Sequence, residues 1–209
     1  LYTLGLPLRW AYLLPMAAAL LCVFSGGYLL FRQWLKNPKK ALLAQALFFL
    51  GGGFGFAYFL DGTKADPQNF SRIFSAFYET PTNYVQKNVR WVNPIADLLI
   101  PQRATLFGWT LLFACLFLLY RAAFEGKTAY FVPLGILGGA LPLVHTHSFL
   151  ALGLISAVLF FRAILSAIRE KSGFSALKPW LLYAGLAVLL AAPQLLCFTF
   201  RQSGSEGFL

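Results

Sequence analysis

The chain has 209 residues, 59% of them hydrophobic and 11% charged, with 17 Lys and Arg against 7 acids and a net charge of +10. A soluble domain carries about 25% charged residues, so a water-covered globular domain is excluded and several membrane-crossing helices are expected. The basic residues fall in short clusters between apolar runs and line no groove, which excludes a nucleic-acid partner.

In chain order, the first apolar run predicts a span from Trp10 to Phe31, with Pro15 near its start, where a missing N–H is best tolerated. It closes on Arg32, Lys36, Lys39 and Lys40 around the Asn37-Pro38 turn. A second span is expected over Ala41 to Leu60, leaving the membrane at Asp61. Its Gly51 and Gly55 stand one helical turn apart, the spacing that lets helices approach closely. No phosphate-loop Lys-Ser/Thr follows these glycines.

The stretch from Asp61 to Arg103 is the long polar segment of the chain and is read as an extracytoplasmic loop. Asp66-Pro67 predicts a helix start, and Phe70, Ile73, Phe74 and Phe77 then recur at helical spacing, as on an amphipathic helix lying at a membrane surface. Glu79 to Asn93 is expected to be irregular. Asn93-Pro94 predicts a second short helix, closed by Pro101. A loop of this length, too aromatic to be disordered, favours a functional role.

A third span, Ala104 to Tyr120, leads through a basic turn to a fourth, Tyr130 to Val144. His145-Thr146-His147 interrupts the apolar pattern before a fifth span, Ser148 to Leu165, and a sixth, Trp180 to Phe200. The expected fold class is therefore all-α, a polytopic transmembrane bundle of about six spans, with residues 1–209 forming one transmembrane domain. The leading Leu1 and the lack of a cleavage site suggest a piece of a longer protein. Turns after the first, third and fifth spans hold ten Lys and Arg against two acids, which would make them cytoplasmic. The Asp61–Arg103 loop and the histidines would then share the outer face.

Cys22, Cys115 and Cys197 all lie in apolar runs, which excludes a disulfide framework or a paired-cysteine metal site. No Ser-His-Asp spacing, HExxH motif or nucleotide loop is present. Three candidates for chemistry remain. His145 and His147 fit interfacial hydrogen bonding, a phosphate contact, or a metal site completed by Asp61, Asp66 or Asp97. Asp61 is either a boundary residue or a functional carboxylate, acting as a base or holding a divalent cation with Asp66. Arg103 suits a lipid phosphate or a snorkelling interface anchor.

The opening Leu-Tyr-Thr-Leu-Gly with Ala-Tyr-Leu-Leu-Pro (Leu1 to Pro15), and Asp61 ahead of an amphipathic helix, resemble the GT-C glycosyltransferases, the protein O-mannosyltransferase type among them. Leu-Pro-Leu-Val-His-Thr-His (Leu141 to His147) is similar to a turn in bacterial membrane proteins of that build. The resemblance implies a multi-span enzyme of the inner (plasma) membrane that takes a sugar from a polyprenyl-phosphate carrier at the outer face. Asp61 would answer to the family's second acidic site, while the loop bearing the first would precede Leu1. Arg103, His145 and His147 would be carrier-phosphate contacts. The alternative is a transporter or flippase for a lipid-linked or anionic solute.

Overall fold

The computed structural model describes residues 5, 7–53, 55–75, 83–84, 89–90, 92–171 and 173–199. The first four residues of the opening motif, Phe77, Glu79 and the tail from Arg201 lie outside them. The helices are α1 (Leu8–Leu35), α2 (Pro38–Leu50), α3 (Gly55–Ala65), α4 (Gln68–Ser75), α5 (Arg103–Phe124), α6 (Phe131–Val144), α7 (Thr146–Arg169) and α8 (Lys178–Gln194). π-Helical turns occupy Pro94–Leu99 and Leu195–Thr199. The protein is an all-α helical bundle with one minimal β pairing, β1 (Asn83–Tyr84) antiparallel to β2 (Val89–Arg90). That pairing falls within the stretch expected to be irregular.

Among the described residues, four helices are long and apolar enough to cross a membrane: α1, α5, α7 and the segment Phe174–Thr199 that contains α8. Large apolar side chains such as Leu21, Leu154, Val158, Phe161 and Leu189 point outward from them. A surface of that kind is stable against lipid and not against water.

The chain forms two compact units, Leu1–Lys36 with Arg103–Leu209, and Asn37–Gln102. In the first unit, α1 and α5 run parallel. Tyr12 meets Arg103, Thr110 Oγ1 donates to Ala19 O, and Lys36 lies over Tyr120. α6 returns antiparallel to α5, and α8 packs along α6 in the same direction. Their close approach rests on Gly135 and Gly139, one turn apart. A Cβ on Gly139 would lie 2.7 Å from Leu190 Cβ and 2.9 Å from Ala187 O. This is where the small-residue spacing of the chain works. The core gathers Cys115 and Leu119 from α5, Phe131 and Leu134 from α6, Leu152 from α7 and Tyr183 from α8.

In the second unit the expected second span is broken. α2 ends at Leu50, residues 51–53 are non-helical, and α3 starts at Gly55, so Gly51 and Gly55 do not share a helix face. Two causes act at the break. Gly51 turns out of the helix (φ −66°, ψ 171°) so that a Cβ there would lie 2.3 Å from Leu47 O. Asn93 Nδ2 donates to Phe49 O (3.0 Å) and Gly51 O (3.3 Å), satisfying carbonyls that a continuing helix would have used. The same Asn93 caps the next turn, its Oδ1 accepting from Ile95 N and Ala96 N, as Asn93-Pro94 predicts. α2 and α3 are about 20 Å and 16 Å long at 1.5 Å per residue, each short of a ~30 Å hydrocarbon core.

Candidate functional site

Four of the five sequence candidates take positions that local structure explains. α3 runs past Leu60 to Ala65, so Asp61 is a helical residue. It is exposed, and its carboxylate lies 3.8 Å from Lys64 Nζ, one turn along. Asp66 caps α4: Oδ1 accepts from Gln68 N at 3.0 Å, as Asp66-Pro67 predicts. Asn69 Nδ2 closes the corner by donating to Gly62 O. Each acid therefore has its own local partner, and both belong to the second unit.

Arg103, His145 and His147 belong to the first unit, and here the structure brings groups together. The helical break between α6 and α7 is a single residue, His145, in extended conformation (φ −158°, ψ 99°). Its backbone N–H still donates to Leu141 O at 2.7 Å. The side chain turns back against α5. Nδ1 lies 2.8 Å from Ser148 Oγ and Nε2 lies 3.4 Å from Thr105 Oγ1. A neutral imidazole donates from one nitrogen and accepts at the other, so one hydroxyl gives and the other receives. Burial first, and the neighbouring His147 second, push the His145 pKa below its ordinary 6.5. The His145 and His147 rings stand 5.4 Å apart, His147 exposed and His145 half-buried.

Gly108 makes this placement possible. A Cβ there would fall 2.4 Å from His145 Cβ and 2.9 Å from Nδ1, so only a glycine lets the imidazole lie against α5. Arg103, at the first turn of the same helix, is exposed and stacks its guanidinium over Tyr12 of α1, 4.3 Å from the ring centroid.

No protein-family model, curated protein sequence or solved structure matches this chain. The chemistry must be read from the groups themselves. Within the first unit the described acids are Glu125 and Glu170, beyond the far ends of α5 and α7. At 1.5 Å per residue those ends are about 33 Å and 36 Å away. Taken by itself, this end of the first unit carries an arginine, two imidazoles and two hydroxyls, and no carboxylate among that unit's described residues, a set that donates hydrogen bonds and accepts negative charge. Among the described residues no three His, Cys, Asp or Glu side chains come together as a metal site. Thr105, Gly108 and Ser148 were not singled out from sequence. Ser148 could have been, since it stands three residues after His145, within reach across one helical turn.

Proposed function

We propose that the protein is a membrane glycosyltransferase of GT-C type, acting on a sugar linked to polyprenyl phosphate, with the carrier phosphate held at the Arg103–His145–His147 end. In that reaction an acceptor hydroxyl oxygen attacks C1 of the sugar, and the C1–O bond to the carrier phosphate breaks with its electron pair staying on the phosphate oxygen. The hydroxyl proton passes to a carboxylate, and the carrier leaves as polyprenyl phosphate, one negative charge richer at the leaving oxygen. Donors fixed around that oxygen lower the barrier. Arg103 supplies a forked, positively charged donor, and His147 is an exposed second contact. Asp61 is the candidate base, because Asp66 is committed as a helix cap. The basic turns would face the cytoplasm and the Arg103 end the outside.

The observation that carries this reading is the first unit's polar end, where Arg103, His145 and His147 stand with no carboxylate among that unit's described residues, which suits an anion beside an apolar bundle. The test is to incubate membranes containing the protein with a panel of polyprenyl-phosphate sugars and measure released polyprenyl phosphate. The reading expects release that falls roughly a hundredfold in Arg103→Gln and is abolished in a folded Asp61→Asn. Unchanged turnover in Asp61→Asn removes that residue from the site. Binding of the lipid-linked sugar without release, across the panel, moves the assignment to a transporter or flippase of the same ligand.

A further inference from the structure

The opposite end of the first unit has a different arrangement. Glu125, just past α5, faces three cations. Arg121 Nε lies 2.8 Å away in an ion-pair contact that lacks hydrogen-bond alignment, and Lys36 and Lys127 Nζ each lie 3.6 Å away. Gln33 Nε2 also donates to Oε1 of the same carboxylate. One carboxylate cannot neutralise three cations, so the cluster stays positive. Arg32 adds to it, exposed and with no carboxylate partner among the described residues.

Beside this cluster lies a groove of about 400 Å³ lined by Leu29, Arg32, Gln33, Lys36 and Phe117. Leu29, Arg32 and Gln33 follow the i, i+3, i+4 spacing of one α1 face, and Lys36 stands at the cap of that helix. Leu29 lies toward the middle of the helix, and Arg32 and Lys36 toward its end. The groove is therefore graded along the helix axis, with Leu29 on the side toward the helix middle and the cations Arg32 and Lys36 toward the helix end. Lys36 closes α1 in the left-handed region, φ 52°, where glycine is the low-strain choice. A side chain is present there all the same, and its ammonium reaches both Glu125 and the face of Tyr120.

We propose that this groove binds an anionic phospholipid, with the phosphate between Arg32 and Lys36 and an acyl chain against Leu29 and Phe117. The grading matches a phospholipid and fits neither a soluble anion, which has no use for the apolar part, nor a zwitterionic headgroup, which leaves the excess positive charge unanswered. The inference rests on the membrane character of the bundle and is independent of sugar transfer.

The experiment uses the purified protein in neutral detergent, titrated with phosphatidylglycerol, phosphatidylcholine of the same chains, or inorganic phosphate. Retained lipid is counted by native mass spectrometry and stability followed by thermal unfolding. Phosphatidylglycerol is expected to be retained and to raise Tm, while the other two do neither. Lys36→Gly and Arg32→Gln should each weaken phosphatidylglycerol binding about fivefold. Lys36→Gly relieves the left-handed backbone but gives up the contacts to Glu125 and Tyr120, whereas Arg32 enters no ion pair among the described residues, so the lipid-free Tm of each variant separates lost binding from unfolding. Equal retention of phosphatidylcholine, or wild-type affinity in both variants, overturns the proposal. A Tm rise with inorganic phosphate alone makes it a free-anion site and overturns the lipid assignment.

Discussion

Gly108→Ala is the sharpest perturbation of the polar end. The added Cβ would lie 2.4 Å from His145 Cβ, 2.8 Å from Cγ and 2.9 Å from Nδ1, where ordinary contact begins at 3.4 Å. Rotation about χ1 moves Cγ and Nδ1 but leaves Cβ where the backbone puts it. Relief therefore requires α5 and the α6–α7 junction to part by about 1 Å, and overpacking of this kind costs about 1–3 kcal/mol. For a chain of this size that is a drop of roughly 2–12 °C in Tm. The imidazole should also lose Ser148 and Thr105, so binding of a lipid-linked phosphate should weaken with it. Thermal unfolding in detergent and a binding titration read the two effects separately. Gly153→Ala, on α7 with nothing within 4 Å of the new Cβ, is the control and should be neutral or stabilising by up to about 1 kcal/mol. His145→Gly removes the clashing atom, so the double variant should recover much of the Gly108→Ala loss. A Gly108→Ala protein with wild-type Tm and binding would refute the described packing of His145 on α5.

Asn93 bridges two helix ends, so Asn93→Ala should cost about 2 kcal/mol, while Asn93→Asp keeps the acceptor for Ile95 and Ala96 but loses the donor to Phe49 and Gly51. Hydrogen exchange should then rise around residues 93–97 in the first variant and much less in the second. His145 supplies a pH dependence. Its folded pKa is depressed below 6.5, so the unfolded chain binds its proton first. This contribution to stability is complete above about pH 6.5, is lost as the pH falls below that value, and stops changing beneath the folded pKa. Tm should follow that course in the wild type and lose this component in His145→Gln.

Much of the architecture could be read from short-range rules. Apolar runs located α1, α5, α7 and α8, and the Asp66-Pro67 and Asn93-Pro94 pairs located two helix starts, because caps depend on neighbours within four residues. The break after Leu50 was hidden for the opposite reason. No charge or proline marks Gly51–Gly53, and one of the two causes of the break is a side chain 42 residues downstream of Gly51. The same limit applies to the glycines. Gly51 and Gly55 carry the small-residue spacing as plainly as Gly135 and Gly139, and only the packing of α8 shows which pair is used. His145 and His147 stood out because they interrupt an apolar run. Gly108, which positions His145, lies inside one and is silent there.

Helix dipoles do not decide the charge of the polar end. The N-termini of α1, α5 and α7 and the C-termini of α6 and α8 meet there, each worth about half a charge of opposite sign, so they largely cancel. His145 is held toward its neutral form by burial and by His147. The positive charge of this end is Arg103, whose guanidinium carbon lies 4.3 Å from the centroid of the Tyr12 ring. Arg103→Lys separates the two things this residue brings. If charge alone matters, lysine should retain most of the binding of a lipid-linked phosphate. If the stacked, forked guanidinium matters, Arg103→Lys and Tyr12→Ala should each weaken binding by about tenfold, and the double variant should be little worse than either. Wild-type affinity in Arg103→Gln would end the anion reading of this end altogether.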